Sequence, residues 1–203
     1  MDEVEEFCLR VLGAREPAAA AYERARADAG KDRIDLLRAA ARECRENAHG
    51  RNGDSLLEAD AIPDDIADGS SELAAAVARE LAASTSRLPE RQREALALRE
   101  LLRLSYEQIS QVMGIDQAAV APLLARARLR LRAEYRGAGV GQEDHCEDRE
   151  RTLRVLASRQ DSEPISAQDN SWVLVHMAGC ASCETAHAAM LEASVCYRAW
   201  PRE

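Results

Sequence analysis

Four residues in the last third of the chain have the types and spacing of a metal site. His176-Met-Ala-Gly-Cys180-Ala-Ser-Cys183 is a His-x3-Cys-x2-Cys pattern, and Cys146 lies thirty positions ahead of the histidine. A histidine in the last turn of a helix, a glycine at 179 that lets the chain reverse, and two thiolates across a tight turn can face one tetrahedral ion. Cys146, carried on a preceding helix, is the natural fourth ligand, with His145 its nearest rival; His187 is a poorer substitute because the helix after Cys183 carries it away. Four protein ligands point to a structural or redox-sensing zinc, since a catalytic zinc keeps an open position. The alternative is a reducible Cys-x2-Cys pair, or thiols with no common task. Bound metal contributes on the order of 10–16 kcal/mol in small zinc domains, which would make it a condition of folding here. Cys8 and Cys44 read as small apolar core residues, Cys196 as part of a packed tail with Tyr197 and Trp200, and Met190 and Leu191 as core.

The elements upstream are set by local chemistry. Ser105 is an N-cap, Gln108 completes a capping box, and Ile109, Val112 and Met113 share the buried face of a short helix. Gly114 supplies the positive φ that ends it, and Asp116 caps a longer helix whose buried stripe is Val120, Leu123, Leu124, Ala127 and Leu131. Pro89 opens a supporting helix with Ala95, Leu98 and Leu102 on its inner face. A short helix, a glycine turn and a longer helix make a helix-turn-helix. Pro122 lacks an N–H and costs roughly 3 kcal/mol in a helix interior, so the longer helix either starts late or kinks.

Leu88-Pro-Glu-Arg-Gln-Arg-Glu-Ala-Leu, Leu104-Ser-Tyr-Glu-Gln-Ile, Val112-Met-Gly-Ile and Ala125-Arg-Ala-Arg-Leu-Arg-Leu-Arg resemble region 4 of bacterial extracytoplasmic-function (ECF) sigma factors. The resemblance implies a domain that binds the −35 promoter element and the β-flap of RNA polymerase. It points to Gln117 as a base reader and to Arg126, Arg128 and Arg130 as phosphate contacts. Where family members place basic or hydroxyl residues at the start of the recognition helix, this chain has Ala118, Ala119, Ala121, Pro122 and Leu123, which donate nothing to a base edge.

Residues 4–13 and 32–48 read as two helices, with Pro17 opening an alanine-rich segment between them. They faintly resemble region 2 of the same family, but without its acidic, glutamine-containing signature or the exposed aromatics that stack on flipped bases. Beyond the arginine-rich helix, residues 144–191 resemble the zinc-binding anti-sigma domain, which masks a sigma factor's polymerase-binding surfaces and in some members releases it on thiol oxidation. That resemblance implies Cys146, His176, Cys180 and Cys183 as the zinc ligands.

Charge supports the division. The chain carries a net −9, yet residues 86–136 carry +4 and the remainder −13. A basic module in an acidic chain fits a short, positioned DNA contact or a basic surface that an acidic segment covers. The expected organisation is all-α: a degenerate region 2-like segment at 1–49, an acidic linker at 50–71, the helix-turn-helix domain at 72–137, a glycine-rich hinge at 138–144 and the zinc-binding domain at 145–203. With 3% aromatic residues, no glycine-rich phosphate loop and no nucleophile elbow, the chain reads as a non-enzyme. No run of eighteen apolar residues and no basic leader occur, which implies a cytoplasmic protein without a membrane partner.

Two functions follow from the resemblance. In the first, a sigma-like regulator acts in transcription initiation with RNA polymerase core and promoter DNA, and the zinc domain covers the helix-turn-helix in cis until metal loss or thiol oxidation uncovers it. In the second, a non-initiating adaptor or decoy binds polymerase or a sigma factor without reading a promoter.

Overall fold

A computed structural model describes residues 2–30, 32–49, 69–137 and 146–201. The acidic linker up to residue 68, the hinge at 138–144 and His145 lie outside the described residues. Among those described are ten α-helices, one π-helical stretch and no strand, so the fold is all-α.

Helix α1 (Glu3–Leu12) is capped by the Asp2 carboxylate, which accepts from the Val4 amide at 2.8 Å, and is stopped by Gly13 at φ 76°. The alanine-rich segment is itself a helix, α2 (Arg15–Asp28), with Ala18, Ala21 and Ala25 buried along one face. Small side chains there let α1 and α3 (Arg33–His49) approach closely, and Phe7, Cys8, Leu37 and Cys44 fill the space between the helices. Both thiols are buried, as small apolar core residues would be.

Helices α4 (Gly69–Ser86) and α5 (Glu90–Leu96) lead into a π-helical stretch, Ala97–Leu101, closed by the Leu102 amide on the Ala97 carbonyl at 3.2 Å. The wider turn carries Glu100 into the interior, a placement that an α-helical reading of Ala95, Leu98 and Leu102 does not reveal. Helices α6 (Tyr106–Met113) and α7 (Gln117–Arg136) then form the helix-turn-helix. Ser105 and Gln108 make the capping box, Gly114 sits at φ 63°, and Asp116 accepts from the Ala118 amide at 2.8 Å. Helix α7 starts at Gln117 and continues through Pro122, so the late start is excluded; the Ala118 carbonyl loses its i+4 donor there.

The last three helices are α8 (Arg149–Gln160), α9 (Ala167–Gly179) and α10 (Ala181–Ala199). Helix α7 packs against α8 and α10 as well as α4, α5 and α6. One buried cluster runs from Val4 through Leu98, Ile109 and Leu131 to Met190 and Tyr197; a small second cluster holds Val155, Leu156 and Val173. Helix α1 also meets the residues that follow α10. The Arg10 guanidinium, paired with Glu6 at 2.6 Å, lies 3.7 Å from the centre of the Trp200 ring and donates to the Pro201 carbonyl at 2.5 Å. Met190 is core as expected, but Leu191 is 44% exposed because it lies on the outer face of α10, away from α7 and α8. No helix among the described residues is long and apolar enough to cross a membrane.

Candidate functional site

The metal-type residues converge from three segments. Cys146 lies just ahead of α8, His176 in the last turn of α9, Cys180 at the α9–α10 junction and Cys183 in the first turn of α10. Cys146 was expected on a helix; it lies in the turn before one, tied by the Arg149 amide to its own carbonyl at 3.1 Å. The single ligand atoms of the four residues lie within 4.8 Å of one another. His176 Nε2 is 3.4 Å from both Cys146 Sγ and Cys183 Sγ. Ligand atoms around a tetrahedral ion with bonds of about 2.1 Å to nitrogen and 2.3 Å to sulfur stand about 3.6–3.8 Å apart, and the two histidine–sulfur separations are close to that range. A cluster of three cysteines and one histidine could hold a metal ion.

Further polar and aromatic groups surround the cluster. Nε2 points at the sulfurs and leaves Nδ1 4.0 Å from the Asp148 carboxylate, the side on which a ligating histidine usually finds an acceptor. The Trp172 ring stacks on His176 at 5.1 Å between centres, and the Arg151 guanidinium lies over the Trp172 ring at 4.0 Å from its centre. The Cys180 thiol is shifted down, chiefly by the Cys183 backbone N–H at the start of α10, whereas burial pushes Cys183 up to about 12. His187 is not among the clustered residues, and burial lowers its pKa.

The helix-turn-helix places its expected contact residues on different faces. At about 100° per residue, Arg126 and Arg130 share the outer face of α7 with Ala119 and Pro122, while Arg128 falls between Leu124 and Leu131 on the inner face. Gln117 is exposed at the first helical position, Arg126 is exposed, and Arg130 is half-exposed beside Glu134 at 3.8 Å. Arg128 corrects the expectation of a phosphate contact, because its side chain is 0% exposed. Its Nε and Nη2 donate to Glu100 Oε1 at 2.9 and 2.6 Å, and Nη1 and Nη2 donate to Asp161 Oδ2 and Oδ1 at 3.0 and 2.7 Å.

Further groups complete this buried network. The Tyr106 hydroxyl donates to Asp161 Oδ2 at 2.8 Å, and Ser194 Oγ donates to Glu100 Oε1 at 2.8 Å. Arg198 reaches Glu100 Oε2 at 2.6 Å, and Arg99 reaches Asp161 Oδ1 and Glu163 Oε1 at 3.3 Å each. Burial disfavours the Arg128 charge, yet the two carboxylates outweigh it and hold its pKa above the ordinary value. Burial and the neighbouring Asp161 likewise keep Tyr106 a neutral donor. Two non-glycine residues with left-handed backbone, Arg103 and Ser162 at φ 58° each, occupy the turns that bring Tyr106 and Asp161 together. Farther along α7, Arg132 and Arg136 both pair with Glu192 of α10, the first at 3.2 Å.

Glu100 and Asp161 were not singled out from the sequence. One signal was present: Arg128 stands four residues after Leu124 and three before Leu131, inside the apolar stripe of α7, where a buried guanidinium requires carboxylate partners.

Residues 78–131, spanning part of α4 through most of α7, match the family described as Sigma-70, region 4. This minority of the chain is a sigma-factor-like helix-turn-helix region, and it supports a role in transcription with RNA polymerase and promoter DNA as partners in general. No curated protein and no solved structure matches the chain.

Proposed function

We propose that this chain is a sigma-factor-like transcription regulator that acts in initiation with RNA polymerase core. In this reading Cys146, His176, Cys180 and Cys183 hold a structural zinc that keeps the C-terminal helices folded against α7. The observation that carries the regulator reading is the match of residues 78–131 to sigma-70 region 4, on a helix-turn-helix whose caps and turn are intact. Zinc would cross-link the starts of α8 and α10 and the end of α9; the donor set of three thiolates and one imidazole suits it and leaves no open position for catalysis. The C-terminal helices then regulate the helix-turn-helix in cis, and loss of metal loosens them.

The outer face of α7 favours a second reading. Ala118 and Ala119 are exposed and Pro122 and Leu123 half-buried at the end of the helix that would meet a major groove, and none has a side-chain donor. An adaptor or decoy that binds polymerase without reading a promoter fits those residues better. Co-sedimentation of the zinc-loaded and chelated chain with core polymerase, with and without promoter DNA, tests both readings. Polymerase binding that increases affinity for one promoter supports the regulator; polymerase binding indifferent to DNA supports the adaptor; absence of polymerase binding in both metal states rejects both.

A further inference from the structure

Helices α8 and α10 each begin at the metal-type cluster, and each delivers a polar group to the buried Arg128–Glu100 pair: Asp161 to Arg128 and Ser194 to Glu100. Cys146 precedes α8 and Asp161 ends it; Cys183 lies in the first turn of α10 and Ser194 lies three turns on. At the far end the Arg128 guanidinium is enclosed, with Glu100 and Asp161 side chains both 0% exposed. Glu100 lies in the π-helical stretch ahead of the helix-turn-helix, whereas Asp161 is carried by α8 and Ser194, with the further Glu100 partner Arg198, by α10.

We propose that Arg128, Glu100, Asp161 and Ser194 form a buried polar lock that holds the C-terminal helices on the helix-turn-helix, and that metal loading tightens it by fixing the starts of the two helices that carry Asp161 and Ser194. This regulation rests on the zinc reading above for its second half, and on the side-chain geometry alone for its first. The physical argument is one of geometry and desolvation. A guanidinium without water needs its fork matched by carboxylate oxygens, and the bidentate match to Asp161 is available at one position of α8 relative to α7. A small shift of α8 that a purely apolar interface would absorb therefore strips two hydrogen bonds from a buried charge. Arg128 acts here as a positioning residue; on the inner face of α7 it is directed away from any duplex that Arg126 and Arg130 could touch.

Amide hydrogen exchange on the full chain tests the lock without polymerase or DNA. In the zinc-loaded chain, Asp161→Asn keeps the shape of the side chain and removes its charge. The expected result is at least tenfold faster exchange in residues 124–136 of α7 and 186–198 of α10, with far-UV circular dichroism and zinc content unchanged. Unchanged exchange in these segments would overturn the lock. If Asp161→Asn fails to fold, Ser194→Ala decides, since it removes one bond to Glu100: faster exchange in the same two segments supports the lock and none overturns it. For the coupling, chelation is expected to accelerate α7 exchange in the wild-type chain and to add little in Asp161→Asn; equal acceleration in both would overturn it. A chain that binds no zinc on metal analysis removes the coupling and the zinc reading together, while the comparison of the two metal-free proteins still tests the lock.

Discussion

Arg128 and Asp161 meet in a two-point fork, Nη1 to Oδ2 at 3.0 Å and Nη2 to Oδ1 at 2.7 Å, with neither side chain exposed to solvent. Removing one partner of such a pair leaves the other charge buried and unmatched, at a cost of about 3–5 kcal/mol in comparable sites. Asp161→Ala is therefore expected to lower the urea unfolding midpoint strongly. Glu163→Ala, which loses contacts to the Arg99 guanidinium and the Tyr106 amide rather than to Arg128, is expected to cost much less. Similar midpoints for the two variants would show that the fork is not the dominant contact.

A second expectation concerns the cluster of cysteines and histidine. The purified chain is expected to carry one zinc per molecule, and Cys180→Ser or Cys183→Ser to abolish stoichiometric binding. Trp172, stacked on His176, gives an optical readout: chelation is expected to change its fluorescence, and zinc to restore it. Metal analysis showing no zinc in the wild-type chain, with a Cys180–Cys183 disulfide instead, would favour a redox pair.

The outer face of α7 carries a third. If the helix-turn-helix contacts phosphate, Arg126→Ala is expected to lower the slope of log affinity against log salt by about 1, whereas Arg128→Met is expected to leave that slope alone. A change of slope with Arg128→Met would mean that the inner face of α7 reaches DNA.

Glu192 gives a pH dependence. Hydrogen bonds from Arg136 and Arg132 hold its carboxyl below the ordinary value of 4.5. A depressed folded pKa contributes stability that is present above the ordinary value and lost as pH falls through the folded one. The contact between α7 and α10 is therefore expected to weaken on acidification below that value, and Glu192→Gln to flatten this part of the stability profile. The carboxyl is still 28% exposed and its Arg136 partner more so, so the effect is small and screened by salt. Identical acid profiles for the two proteins would show that Glu192 is not linked to folding.

Most of the local structure was legible because short-range chemistry decides it. Ser105 with Gln108, Gly114 and Asp116 mark helix ends through side-chain and backbone hydrogen bonds within a few residues, and each is where the sequence implies. The cluster of Cys146, His176, Cys180 and Cys183 was legible for a related reason, since three of its members fall within eight residues. What was not legible depends on partners far along the chain. Glu100 turns inward through a π-helical stretch that no apolar periodicity announces, and Asp161 meets Arg128 across thirty-three positions. Arg128 reads as surface because alternate arginines suggest one basic face, although at helical spacing Arg128 faces inward while Arg126 and Arg130 face out. Leu191 fails in the opposite sense, as a large apolar residue on the outer face of α10.

The central claim is that a sigma-like helix-turn-helix directs RNA polymerase. Run-off transcription with core polymerase, the purified chain and a promoter selected from genomic fragments tests it most directly. The expected result is a transcript of defined length that requires the chain and weakens with Arg126→Ala. Polymerase binding without any promoter-dependent transcript, in zinc-loaded and chelated chain alike, would contradict it.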